Sequence, residues 1–142
     1  MQCSYSIHPE ENLVRSRVAG DITVAGLIEL VTQVSKDPAF RAGMNTVADL
    51  RESSGSWDFS EVQRYRDFLR HIAGDSTRRW GIVVKPGALA GVMHVLILIS
   101  QSISHRIQMQ LFEDVHAALR WATAAPQGCD VREESEECPG SI

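Results

Sequence analysis

The side chains best placed for chemistry fall between Arg51 and Ile72, where RESSGSWDFSEVQRYRDFLRHI gathers serines, carboxylates, arginines and a histidine. Ser54 and Ser60 carry hydroxyls that a kinase could modify, and a phosphate on Ser60, near a helix start, would gain from the helix dipole. The plain alternative is that Ser53-Ser54-Gly55-Ser56 is a flexible loop chosen for backbone reasons. Asp58 and Glu61 stand three apart, which is the spacing of a capping box rather than of a catalytic acid and base. Arg64, Arg66, Arg70, His71, Arg78 and Arg79 could form an anion-binding stripe. Glu61, Asp67 and Asp75 interleave with them, so a solvated mixed-charge face is the default expectation.

The remaining reactive residues are scattered. His94 sits inside an apolar run and is expected to be a neutral, hydrogen-bonded core or interface residue. His105 and His116 show no metal-ligand spacing. Cys3, Cys129 and Cys138 lie near the two ends, an odd number with no CxxC, which argues for a reducing compartment and against zinc. A Cys129–Cys138 bridge stays open. Gly87 and Gly91 form a GxxxG that allows close helix packing but lacks a phosphate-binding fingerprint. A nucleophile elbow, a P-loop and HExxH are absent from the sequence, so no catalytic residue, metal or cofactor is expected.

Strands and helices must position these groups. Tyr5 and Ile7 alternate with polar neighbours, as do Val14, Ser16 and Val18 after the Pro9–Asn12 turn, which predicts a hairpin with one wet face. Thr23 can cap a helix running to about Lys36 through Val24, Leu27, Ile28, Val31 and Val34, with Ile22 and Leu27 as a staple. Asp37-Pro38 breaks it. Val47, Ala48 and Leu50 form a short buried strand, and a loop over 53–56 leads to a helix from about 58 to 73. Phe59, Val62, Tyr65, Phe68 or Leu69, and Ile72 should form its packed face, with Trp57 and Val62 as a staple. Trp80 to Val84, apolar at successive positions, is expected inside the sheet. Ala88 to Ser104 is helical in length and apolar nearly all round, so it should be deeply buried or shared with a partner. Arg106 to Phe112 alternates like an edge strand, and Asp114 caps a closing helix through Val115, Ala118, Leu119 and Ala122.

The chain's 142 residues suit one domain that buries roughly 70% of its unfolded surface. The net charge of -4 sits in the tail: of 18 acids and 14 bases, residues 125–142 hold five (Asp130, Glu133, Glu134, Glu136, Glu137) and one (Arg132), leaving 13 of each before it. A neutral body lacks the basic surplus that nucleic acid requires. The tail is too poor in apolar residues to fold and is expected to be disordered. The start MQCSYSIHPEEN resembles no export signal, and the longest apolar run, about a dozen residues, is short of the roughly 20 that span a bilayer. A cytoplasmic protein without a membrane span is expected.

The element order is ββαβαβαβα, an α/β fold with a mixed, mostly parallel five-stranded sheet and four helices over residues 1–124, the last four strands being parallel neighbours or near-neighbours. With the phrases YSIHPEENLVRSRVAGDIT, NTVADLR and FEDVHAALRWA, it resembles the SpoIIAA-like, or STAS-like, family of small bacterial domains over about residues 3 to 123. The resemblance implies a non-enzymatic regulatory or protein-interaction domain, as in anti-sigma-factor antagonists whose phosphorylated serine blocks partner docking. Here the slot for that serine falls near Phe59, and the look-alike Ser53-Ser54-Gly55 comes about four residues early. The expected contact loop is Arg51, Ser53, Ser54, Asp58 and Ser60. The fold is also similar to that of lipid-binding CRAL-TRIO domains, so Leu89, Val92, Met93, Leu96 and Ile97 could line a pocket for an apolar small molecule, or else form a homodimer surface.

Overall fold

The computed structural model describes residues 1–73, 76–103 and 106–124, so the expectations for His105, Asp75, Cys129, Cys138 and the tail from residue 125 lie outside the described residues. Strand β1 (Gln2–His8) and β2 (Leu13–Asp21) form the expected antiparallel hairpin. A turn of 3-10 helix over Pro9–Glu11 joins them, and Asn12 closes it in the left-handed conformation at φ 54, where an asparagine is tolerated. Helix α1 (Val24–Lys36), β3 (Asn45–Ser54), α2 (Phe59–Ala73), β4 (Arg78–Val83), α3 (Ala88–Ile103), β5 (Ile107–Phe112) and α4 (Val115–Thr123) follow. The sheet order is β1-β2-β3-β4-β5, with β2 to β5 parallel. The architecture is the expected α/β one.

Sequential parallel strands joined by right-handed crossovers must place every crossover helix on the same face. Accordingly α1, α2 and α3 share one core with the inward residues Val14, Val18, Leu50 and Ile82 of the sheet. Among the described residues, helix α4 alone covers the opposite face, over Leu13, Val47 and Val83. That second core is tight. A Cβ on Gly81 would stand 3.4 Å from both Ala118 Cβ and the Phe112 ring, so the missing side chain is what lets α4 approach β4. The carbonyl end of α4 is tied down by Asn45 Nδ2, which donates to Ala122 O at 2.9 Å, and by Arg79 Nη1, which donates to Trp121 O at 2.8 Å.

Helix starts follow the sequence. Thr23 Oγ1 accepts from Gly26 N at 3.0 Å, and an Asp114 carboxylate oxygen accepts from Ala117 N at 3.1 Å. Strand β3 corrects one expectation, since it runs on to Ser54 and leaves Ser53 and Ser54 in the sheet rather than in a loop. The extension follows a β-bulge: Arg17 faces Asp49 and Ala19 faces Glu52, so Leu50 and Arg51 together oppose Val18. The bulge's stray polar groups find side-chain partners. Asp49 Oδ1 accepts from Arg51 N at 3.1 Å, and Ser53 Oγ donates to Val18 O at 2.6 Å.

Candidate functional site

Two places deserve comparison: the segment from Arg51 to Ser60, and the space beneath the three helices. In the first, many of the polar groups already have a structural task. Arg51 forks onto Asp49 at 2.8 and 2.9 Å, and that guanidinium holds the Asp49 carboxyl below the usual carboxylate range. Ile22 N donates to Ser54 O at 2.7 Å, and Trp57 Nε1 donates to Ile22 O at 3.2 Å, so the segment wraps around Ile22 and is pinned to the β2–α1 connection. Asp58 and Glu61 form the capping box, with Glu61 N donating to Asp58 Oδ1 at 2.9 Å and Asp58 N donating to Glu61 Oε1 at 3.1 Å. The Glu61 N–H and the Ser60 hydroxyl hold the Asp58 carboxyl below its usual range. Ser54, Asp58 and Ser60 are exposed and Ser53 is half-buried.

Two expectations about faces are overturned. Phe59, the first residue of α2, does not join the packed face formed by Val62, Tyr65 and Leu69; it is 64% exposed. His94 is exposed, which removes the core half of its expected core-or-interface placement. An apolar run gives no contrast from which to choose a face, and α3 turns Leu89, Met93, Leu96 and Ile97 inward, leaving Val95 and Leu98 outside. Leu89, Met93, Leu96 and Ile97 are buried within the chain, and Val92 is half-buried. Gly87 and Gly91 have open space where a Cβ would go, so the GxxxG is no packing device here.

The second place is a cavity of about 400 Å³ between the sheet and α1, α2 and α3. Its sheet wall comes from alternate residues of β2, β3 and β4, among them Val14, Val18, Ala48, Leu50 and Ile82, and its roof from Leu27, Leu30, Tyr65, Met93 and Leu96. Three of the four methionines, Met44, Met93 and Met109, line it. Burial pushes the Tyr65 phenol well above its ordinary value. Met93 and Leu96 are thus the two members of the expected α3 set that border the cavity, whereas Leu89, Val92 and Ile97 do not.

The proposed arginine stripe divides between two structures. Arg66 and Arg70 lie on α2 beside Asp67, at 2.8 and 3.9 Å, as an ordinary mixed-charge face. Arg78 and Arg79, adjacent on β4, point to opposite faces of the sheet and are both buried. Arg79 stacks on Trp121 at 5.7 Å and holds α4, while Arg78 lines the cavity. The alternation of a strand could have separated them in sequence, but two basic residues ahead of Trp80 look like a strand's wet start.

A third depression, on the half of the sheet that α4 leaves open, is polar and shallow. Two of its three arginines are paired, Arg17 with Glu52 at 3.1 Å and Arg51 with Asp49 at 2.8 Å, and Arg15 lines it as well. Among the described residues no group of three or more His, Cys, Asp or Glu side chains is arranged to hold a metal, and no helix is long and apolar enough to cross a membrane.

No family model matches the chain, and no curated protein matches it. Among solved structures it is similar to an uncharacterised protein of the DUF3478 family, described as having a SpoIIAA-like fold, from Shewanella loihica PV-4. The TM-score is 0.53 at 16% sequence identity, over 84% of this chain and 93% of that one. Likeness at this identity is likeness of fold, and it agrees with the element order: this chain has a SpoIIAA-like fold.

Proposed function

We propose that the chain is a non-catalytic binding domain that holds a small apolar molecule between its sheet and helices α1, α2 and α3. The observation that carries this reading is the cavity of about 400 Å³. Protein interiors are packed like organic crystals, with voids seldom larger than a water, whereas small-molecule sites run from about 300 to 1,000 Å³ and are mostly apolar. The methionine lining supports it as well, since thioether side chains repack around ligands of varied shape. The test is titration with a neutral dye, N-phenylnaphthylamine, which should saturate at one equivalent. The variant Ser16→Leu/Ala48→Leu fills the cavity from the sheet wall and should abolish binding while raising Tm; unchanged dye binding by that variant contradicts the proposal.

A second reading, a regulatory contact surface over Arg51, Ser53, Ser54, Asp58 and Ser60, is favoured by Phe59, an aromatic side chain left 64% exposed beside them. Phe59→Ser should leave the fold intact and weaken capture of a partner from the native host; equal capture counts against this surface.

A further inference from the structure

Tyr65 brings an unused donor into the cavity. It sits on the packed face of α2, three residues after Val62 and four before Leu69, and is 6% exposed. Its ring is fixed by its neighbours, edge-on to Trp57 with centroids 5.7 Å apart and stacked on Phe68 at 6.1 Å. The polar ends of comparable rings are satisfied: Tyr5 donates to Asp37 Oδ2 at 2.9 Å, and Trp57 Nε1 donates to Ile22 O at 3.2 Å. The Tyr65 hydroxyl finds no hydrogen-bond partner among the described residues, and burial alone raises its pKa. Nor is its oxygen sealed among packed atoms, so it opens on the cavity that the residue lines.

We infer that the ligand is a neutral molecule carrying a carbonyl oxygen, as in a ketone, an aldehyde or an ester, and that this oxygen accepts a hydrogen bond from the Tyr65 hydroxyl. This rests on the ligand-binding reading above. A buried polar group left without a hydrogen bond costs free energy, and the hydroxyl of a buried tyrosine usually finds a partner. A phenol is more acidic than the hydroxyl of serine or threonine and is the stronger donor, so an acceptor is what Tyr65 lacks. Among the described residues no Asp, Glu, Asn or Gln lines the cavity, so the side chains around it supply no carboxylate or carboxamide oxygen to fill that role. A carbonyl oxygen only accepts, and therefore meets the donor without bringing a proton that needs an acceptor of its own. It also carries no charge, which the aliphatic and thioether walls would penalise.

The experiment displaces N-phenylnaphthylamine from the whole chain with three naphthalenes of nearly one shape: acetylnaphthalene, the hydrocarbon isopropenylnaphthalene, in which a methylene replaces the carbonyl oxygen, and naphthylethanol. Tyr65→Phe should weaken the ketone about tenfold, the loss of one buried hydrogen bond, while leaving the hydrocarbon unchanged and weakening the alcohol less. Its Tm should not fall, because the hydroxyl gives up no protein contact. On the unaltered chain the NMR resonance of an isotope-labelled ketone carbonyl carbon should lie downfield of its position in hexane, and it should move back in Tyr65→Phe. An unshifted carbonyl, or equal losses for ketone and hydrocarbon in Tyr65→Phe, overturns the inference and leaves the ligand-binding reading standing. A shift that survives Tyr65→Phe overturns the role of Tyr65, and a loss for the alcohol as large as the ketone's overturns the carbonyl class. A ketone that cannot displace bound dye overturns this inference alone, whereas a dye that does not bind either overturns both readings. If Tyr65→Phe does not fold, the unaltered chain still decides: a shifted carbonyl with a nuclear Overhauser contact from the ketone methyl to the Tyr65 ring supports the inference, and lack of either overturns it.

Discussion

Thr23 and Asp58 open α1 and α2 by the same device, an oxygen that accepts a backbone N–H three residues on. Thr23→Ala removes that acceptor and should cost about 1 kcal/mol, read by chemical denaturation. Asp58 adds a pH dependence whose sign follows from its depressed pKa. A carboxyl lowered in the folded state stabilises above its unfolded pKa and loses that contribution as pH falls through the folded value. Asp58→Asn keeps a good capping residue without the charge, so the acid-side decline of helix signal in circular dichroism should be shallower than in the parent. An identical acid profile would assign the decline to other carboxylates. Such groups were legible in sequence because a cap is local: three residues of spacing state it completely. Phe59 and His94 were not, because which way a helical side chain faces depends on where the helix first meets the sheet and how it is rolled.

The helices divide the molecule into two unlike halves. On one face, α4 lies close on Gly81 through the small residues Ala118 and Ala122; on the other, three helices stand over a cavity lined by larger side chains. The same enlargement should therefore have opposite effects on the two sides. Ala118→Leu overpacks the α4 layer and should cost about 1–3 kcal/mol. Ala48→Leu enters open space and should leave stability equal or higher by urea denaturation, and a loss as large as that of Ala118→Leu would mean that the space is not open. Sequence periodicity announced each of these helices, Thr23 to Lys36 and Asp114 to Ala122 most plainly, because burial of one face repeats every three or four residues. It could not announce the end of β3, since the bulge at Leu50 and Arg51 that carries the strand on to Ser54 depends on the register of β2.

For the whole molecule, five strands with three helices on one face and one on the other place an apolar chamber inside a domain whose outer charges are mostly paired or solvated. The SpoIIAA-like order was legible because each apolar run is bounded by turn residues. The chamber was not, because Val, Leu and Met read alike in sequence whether they touch one another or surround an empty volume. The central claim is that this volume belongs to a ligand. Native mass spectrometry of the chain purified without detergent from its own host tests it most directly. The account predicts a species heavier than the polypeptide by one small molecule that organic extraction removes, whereas a bare polypeptide mass that stays bare when apolar ligands are added would contradict it.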